Sequence, residues 1–413
     1  MFVIRAYKKI PLLQKLLFAM ILGVVAGIVF GEDVSRIEII GTVFLKMLKM
    51  ACIPLIMVNL ISGIASLDDP AIFGRVGVKI LIYFTITTVV AATLGVIGGT
   101  IIRPGDGLVL SEAYSGNLTE VPSLVDTITG MIPDNIFAAL SNAKLDQVVV
   151  FSAFCGVAVL MCKESDRIKL AAMFNSLSGM FNRLVGIIMG VAPFGIFSLI
   201  SSVVGKYGKN MAGPAFKYVA AIAVCMLIHW VFYFVVMFVT TGSIPDGFIK
   251  KTLPLLATAV STSSTMASIP INMQCAEDLG CSKSIYSFVV PLGAQLNKDG
   301  HAIVLTMSLL FAAQAAGVNL SGATLINAII IALFLTTGSG GIPGGGLVTI
   351  AIIIDAFQMP TEAVAIISGV FFIIDTLNTS VNTYGTLIGT YIIDRAEKKR
   401  AEKARIAAAG TTL

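Results

Sequence analysis

Two stretches rich in serine, threonine and glycine interrupt the apolar, membrane-length segments in the C-terminal half of this chain. The first runs from Ser261 to Thr265 and on to Pro270, and the second spans residues 336–346 and contains Pro343. Hydrocarbon tolerates non-helical backbone only where protein or a water-filled cavity surrounds it. Interrupted segments at corresponding positions of two halves are the best sequence indication of the binding site of a transporter.

The composition indicates a helical membrane protein. Hydrophobic residues make up 56% of the chain and charged residues 12%, about half the charged share of a soluble protein. The apolar runs are long and continuous, whereas an outer-membrane barrel would alternate over segments of about ten residues. The net charge of +5 sits mostly at the termini and in short loops. We read it as a signal of membrane orientation and expect a lipid bilayer and no nucleic acid as partner.

The hydropathy pattern predicts an all-α fold with eight transmembrane helices and two re-entrant helical hairpins. The basic residues of alternate loops fall on one side, and the acidic loop 104–133 falls on the other. The positive-inside rule then places both termini in the cytoplasm and the protein in the cytoplasmic (inner) membrane. The first six spans are expected at 11–30, 38–67, 74–102, 134–162, 168–203 and 213–241.

Each interruption precedes an apolar helix with polar residues at its centre. The first such helix carries Lys298 and Asp299, and the second carries Asp375. A charge at bilayer depth costs at least ~2.5 kcal/mol on insertion scales, so such residues are usually functional and paired. Hairpin tips add open N–H groups, which favour a carboxylate, and unwound carbonyls, which favour a cation.

The helix around Asp375 groups polar side chains on one face. Its neighbours at i+3, i+4 and i+7 are Asn378, Thr379 and Asn382. A carboxylate suits an ammonium group, while amides and hydroxyls suit a carboxylate, so the face has the chemistry of an amino acid site. The alternative is a set of polar contacts that hold the helices together.

Four motifs carry a resemblance to a known family. They are Val-Gly-Val-Lys-Ile at 76–80, Ala-Pro-Phe-Gly-Ile-Phe at 192–197, Ile-Tyr-Ser-Phe-Val-Val-Pro-Leu-Gly-Ala at 285–294 and Gly-Gly-Ile-Pro-Gly at 340–344. With them, nearly the whole chain resembles the dicarboxylate/amino acid:cation symporters, in a prokaryotic form. The family includes glutamate, aspartate and neutral amino acid transporters.

The resemblance implies a homotrimer with inverted repeats, in which a mobile transport domain slides against a scaffold like an elevator. The implied parts are scaffold helices 1–2 (residues 1–73), transport helix 3 (74–103), scaffold helices 4–5 with an extracellular loop (104–212), transport helix 6 (213–243), a transport core of hairpin one, helix 7, hairpin two and helix 8 (244–396), and a cytoplasmic tail (397–413).

The resemblance also implies roles for individual positions. Asp375 matches the aspartate that holds the substrate amino group, Asn382 the asparagine that holds its α-carboxylate, and Thr379 a neighbouring threonine. The other implied substrate positions are Ser264, Thr265, His301, Ile342, Gly346 and Asn378. The implied cation or coupling positions are Thr87, Thr88, Asn297, Lys298, Asp299 and Thr386, and the candidate Na⁺ ligands are Asn297, Asp299 and Asn382.

One departure from the family concerns the substrate. Members with acidic substrates have an arginine at the position of Asn378, and archaeal members have an aspartate at that of Phe371. An amide cannot supply the charge-assisted bidentate contact of a guanidinium. We therefore expect a neutral or small polar amino acid. A dicarboxylate held by a cation elsewhere is the alternative.

A second departure concerns the coupling ion. The family sequence Asn-Met-Asp-Gly-Thr reads Asn-Lys-Asp-Gly-His at 297–301, and Thr386 replaces a sodium-binding aspartate. We expect the Lys298 amine to lie beside Asp299 in place of a bound cation, with transport wholly or partly independent of Na⁺ and coupled to H⁺ through Lys298 or His301. The alternative is that Lys298 points away to pair with a carboxylate and Na⁺ still binds near Asp299, Thr87, Thr88 and Asn297.

Other classes of protein fit less well. The membrane aspartates lack the paired motif of an intramembrane protease, and no nucleophile motif accompanies His229 or His301. We therefore expect no enzyme, and with only 2 histidines in the chain we expect no zinc site or cofactor. An anion channel is the more distant alternative, since a pure channel does not need a site enclosed by two hairpins.

Overall fold

The computed structural model describes residues 12–65, 73–108, 129–142, 144–337, 341 and 344–410, and these residues form helices and connecting turns without a strand. The first half contains α1 (Leu12–Phe30), a 3₁₀ turn (Gly31–Ile37), α2 (Glu38–Ala65), a π-helical turn (Phe73–Gly77), α3 (Val78–Ile102), α4 (Ile136–Ser141), α5 (Leu145–Met161) and α6 (Glu164–Tyr207). The second half contains a 3₁₀ turn (Gly208–Met211), α7 (Ala212–Thr241), α8 (Phe248–Thr262), α9 (Ile269–Asp278), α10 (Lys283–Leu296), α11 (Asp299–Ala315), α12 (Gly322–Thr337), α13 (Gly346–Ala356) and α14 (Glu362–Gly410).

Several of these helices are long and apolar enough to cross a membrane. In the described part of the chain there are 5 such segments, namely Gln14–Val34, Arg75–Ile102, Glu164–Lys206, Gly213–Thr241 and Glu362–Lys403. Their outer faces expose large apolar side chains such as Ile101 and Val239. Such faces are stable in lipid, where helices satisfy every backbone polar group internally. The expected number of spans stays a prediction.

The helices pack as two groups. In the first group, α6 lies along both α1 and α2, and α5 packs on α2. In the second group, α11 lies between α3 and α14, and α7 packs on α14. Helix α11 is buried along almost its whole length, because it lies at the centre of the second group. Polar side chains on this helix are therefore held away from both lipid and water.

Two helical hairpins belong to the second group. The first is α8 and α9, and the second is α12 and α13. Helix α8 has 15 residues and α9 has 10, fewer than the roughly 20 that cross a bilayer. The two tips touch, since the Ser264 hydroxyl donates a hydrogen bond to the Gly341 carbonyl over 2.9 Å and the Met266 N–H reaches the same oxygen over 3.3 Å.

Two expected helices are broken. The span expected at 134–162 consists of α4 and α5, with the backbone of Lys144 outside both helices. The apolar helix expected around 297–301 is also two helices, because Asn297 (ψ 103°) and Lys298 (φ −133°) leave the helical conformation between α10 and α11. The second break exposes backbone N–H groups at the start of α11. The side-chain oxygen of Asn382 accepts one of them, from Gly300, over 2.9 Å.

Candidate functional site

A polar cavity lies where the break between α10 and α11 meets the two hairpin tips and the middle of α14. The space between its lining residues is about 250 Å³, a figure that includes solvent at the mouth. Most of the expected substrate positions line it, namely Thr265, His301, Gly346, Asp375, Asn378, Thr379 and Asn382. Lys298 lines it as well, and so do Ser263 and Gly341, which the sequence analysis did not single out. Ser263 has a left-handed backbone conformation (φ 48°) at the end of α8. The sequence does not show this conformation, so it could not mark Ser263 as a site residue.

The polar face of α14 forms a chain of hydrogen bonds. The Asn382 amide N–H donates to Asn378 Oδ1 over 2.7 Å, and the Asn378 amide N–H donates to Asp375 Oδ1 over 3.3 Å. These residues are spaced by one helical turn, so their side chains stack along one face. Asn378 is thus bonded on both sides. It therefore fixes the Asp375 carboxylate and the Asn382 amide relative to each other.

The carboxylate of Asp375 also contacts the second hairpin. Its Oδ2 accepts the backbone N–H of Gly344 over 2.9 Å. Asp375 is 4% exposed. The two hydrogen bonds leave further lone pairs of this carboxylate free, since a carboxylate offers about four acceptor positions. An ammonium group in the cavity can therefore bind Asp375 without displacing Gly344 or Asn378.

The Lys298 amine does not lie beside Asp299, contrary to the sequence-based expectation. Its Nζ donates to Thr265 Oγ1 over 2.6 Å and to the Ala294 carbonyl over 2.7 Å. The physical reason is the break in the helix, because the non-helical backbone at Asn297 and Lys298 turns this side chain back over the last turn of α10. The ammonium group therefore sits at the first hairpin tip.

Asp299 is instead enclosed by donors from α3 and α7. Its Oδ1 accepts from the Thr88 hydroxyl over 2.6 Å, while Oδ2 accepts from the Tyr233 hydroxyl over 2.6 Å and lies 3.2 Å from His229 Nε2. Asp299 and His229 are both 0% exposed. His229 and Tyr233 were not expected at this site from the sequence. The sequence does indicate a role for them, because a histidine and a tyrosine four residues apart share one helix face inside an apolar span.

The other expected cation positions, Asn297, Thr386 and Thr87, form hydrogen bonds with groups other than Asp299. Asn297 donates its amide N–H to the Asn382 carbonyl over 3.1 Å and to Thr386 Oγ1 over 3.4 Å, while its buried Oδ1 has no partner. The Thr386 hydroxyl donates to the same Asn382 carbonyl over 3.1 Å. Thr87 turns its hydroxyl to the Phe84 carbonyl of its own helix. In the described residues, no group of 3 or more histidine, cysteine or acidic side chains could hold a metal ion.

His301 lies under the start of α13. Its Nε2 is 2.6 Å from Thr349 Oγ1, and its Nδ1 is buried without a partner. Gly346 allows this approach, because a Cβ at that position would be 2.6 Å from His301 Cε1. Of the remaining expected substrate positions, Ser264 joins the hairpin tips, and Ile342 lies outside the described residues.

A polar cavity enclosed by broken helices and hairpin tips within apolar helices is typical of a secondary transporter. The sodium:dicarboxylate symporter family matches residues 12–396, and the chain belongs to this family. With its membrane-length apolar helices, it is a multi-pass membrane protein and a symporter of that family.

Similar proteins carry names from two groups of substrates. A proton/sodium-glutamate symport protein of Bacillus caldotenax is 30% identical over 96% of this chain and 97% of its own length. A C4-dicarboxylate transport protein of Cupriavidus pinatubonensis is 29% identical over 97% of each chain. A proton/glutamate-aspartate symporter of Bacillus subtilis is 29% identical over 96% of this chain and 98% of its own length.

Proposed function

We propose that this protein is a secondary active transporter that carries a small neutral amino acid across the cytoplasmic membrane. The observation that supports this best is the polar face of α14, where the Asp375 carboxylate is joined to the amides of Asn378 and Asn382 inside the cavity. A carboxylate binds the substrate ammonium, and hydrogen-bond donors in the same cavity suit its carboxylate.

The charges of the cavity support a neutral substrate. Its described lining contains one carboxylate, Asp375, and one ammonium, Lys298, and position 378 is an amide that is already bonded on both sides. A zwitterion brings one ammonium and one carboxylate, which match these charges one to one. A substrate with a second carboxylate would leave that group without a cation in a buried site, which is costly.

The surroundings of Asp299 support transport that is wholly or partly independent of Na⁺. Thr88, Tyr233 and His229 already occupy its oxygens. Position 386 supplies a hydroxyl in place of a second carboxylate. These donors stabilise the buried charge of Asp299 from within the protein. The proton is the alternative coupling ion.

We further propose an elevator mechanism in a homotrimer. Helices α3 and α7–α14 form the moving domain, and α1, α2 and α4–α6 form the scaffold, as their two packing groups suggest. Both termini lie in the cytoplasm, in keeping with the basic residues of alternate loops.

A second candidate is a Na⁺-coupled symporter of an acidic amino acid or a dicarboxylate. The names of the similar proteins favour it. The ammonium of Lys298 in the cavity also favours it, since it could meet a second carboxylate.

Uptake into proteoliposomes separates the two candidates. Labelled L-serine, L-alanine, L-aspartate and succinate are offered with Na⁺ or choline outside, each with and without a pH gradient. We expect uptake of L-serine or L-alanine that continues in choline, together with exchange against unlabelled substrate from inside. Uptake confined to L-aspartate or succinate would overturn the neutral substrate. A strict need for Na⁺ would overturn the independence from that ion, and uptake without exchange would point to a channel.

A further inference from the structure

The amine of Lys298 is buried, and its hydrogen bonds go only to neutral groups. The side chain is 1% exposed, and its two acceptors, the Thr265 hydroxyl and the Ala294 carbonyl, are both neutral. Its described hydrogen bonds include no carboxylate, although Asp375 lines the same cavity. An ammonium carries three N–H donors. A buried charge is costly unless it is paired, so this site favours an anion.

The amine also lies at the meeting point of the two hairpins. Thr265 belongs to the tip of the first hairpin, and a Cβ on Gly341, at the tip of the second, would lie 3.0 Å from Lys298 Nζ. An anion that binds Lys298 would therefore touch both tips. This position differs from the polar face of α14, on which Asp375 and the two asparagines stand.

Asp375 and Lys298 remain separate charges in one cavity. The Asp375 oxygens are held by Gly344 and Asn378, and the Lys298 amine is held by Thr265 and Ala294. Each group is thus oriented by neutral partners, and the two groups do not bond to each other. An amino acid presents an ammonium and a carboxylate on one carbon, so it can bind both groups and neutralise both.

We propose that Lys298 binds the α-carboxylate of the substrate while Asp375 binds its amino group, an assignment that rests on the proposed transport of a neutral amino acid. The lysine thus acts as a substrate ligand and not as a substitute for the coupling ion. Asn382, which the sequence analysis assigned to the α-carboxylate, has its oxygen on Gly300 and its N–H on Asn378. Asn382 therefore holds the polar side chains of α14 in position.

A binding experiment with matched ligands tests this assignment. The affinities of L-serine and L-serinamide, which differ in the charge of the carboxyl group, are compared for the purified full-length wild type and for Lys298→Met. A charge-assisted hydrogen bond corresponds to about a 10- to 100-fold change in affinity. We expect the wild type to prefer L-serine by about that factor, and the variant to bind both ligands within about threefold of each other. Lys251→Met, at an exposed position on α8, should keep the wild-type preference.

Several results would overturn the assignment. A wild type that binds L-serinamide as tightly as L-serine excludes a role for any cation at the α-carboxylate, whether or not the variant folds. If Lys298→Met loses affinity for L-serine and L-serinamide equally, the role of Lys298 is structural, and its hydrogen bonds connect α10 to the first hairpin. Lys298→Gln repeats the test if Lys298→Met does not fold.

The same binding experiment distinguishes a failure of the proposed function from a failure of the Lys298 assignment. A wild type that binds L-aspartate but not L-serine would refute the neutral substrate. If Lys298→Met then bound L-aspartate more weakly but kept the wild-type preference for a free over an amidated α-carboxylate, Lys298 would be a ligand of the side-chain carboxylate, and its assignment to the α-carboxylate would be wrong.

Discussion

Replacing Asp299 with leucine should destabilise the protein through the donors left behind. The carboxylate is 0% exposed and accepts from Thr88, Tyr233 and His229. Thr88 can turn its hydroxyl to a carbonyl of its own helix, as Thr87 does, so we count only the other two donors as lost. A buried donor without an acceptor costs about 1–3 kcal/mol. The free energy of unfolding should therefore fall by about 2–6 kcal/mol.

Asp299→Asn is the variant that tests this reasoning. An asparagine keeps one oxygen for Tyr233 and His229 and turns its N–H toward the Thr88 hydroxyl, which can also accept. We therefore expect less than about half of the loss seen for Asp299→Leu. If both variants lose the same stability, the charge of the carboxylate matters and not its hydrogen bonds, and the calculation above is refuted.

Denaturant titration in mixed micelles measures these differences. The single tryptophan, Trp230, lies next to His229 on α7 and 4.2 Å from the ring of Tyr384, so its fluorescence reports on this region. Asp106→Asn is the control. Asp106 also accepts two hydrogen bonds, from Arg103 over 2.6 and 3.1 Å, but at the exposed end of α3. Asp106→Asn should leave the midpoint of the denaturant titration unchanged.

Three further substitutions probe the cavity. Gly346→Ala should weaken L-serine binding, because its Cβ would lie 2.6 Å from His301 Cε1. The control Gly179→Ala, which has no atom within 4 Å of the new Cβ, should bind L-serine like the wild type. Equal binding by the two variants would show that the second hairpin can shift freely. Asp375→Asn should lower L-serine affinity by about 10- to 100-fold in a protein that still folds, and an unchanged dissociation constant would exclude Asp375 as the ammonium ligand. Asn378→Arg should raise the uptake of L-aspartate relative to L-serine because it adds a guanidinium to the cavity; an unchanged ratio would show that position 378 does not select the substrate.

The sequence predicted the parts of the site that depend on spacing within one helix. Asp375, Asn378 and Asn382 recur at one turn of α14, so their alignment follows from helical geometry alone. The same reasoning failed at residues 297 and 298, which were expected inside an apolar helix. Their backbone leaves the helix, and the Asn382 side-chain oxygen accepts one of the freed backbone N–H groups, that of Gly300. A partner 82 residues away along the chain leaves no local pattern.

The sequence by itself determined that this chain is a helical membrane protein with two interrupted segments and a polar face on its last helix. Composition and periodicity act locally, and they follow from the cost of exposing polar groups to hydrocarbon. Only the tertiary structure decided which side chains meet. Asp299 receives partners 211, 66 and 70 residues away, and Lys298 reaches Thr265 at a distance of 33 residues. Such contacts depend on how helices rotate and pack against each other, which the periodicity of a single helix cannot specify.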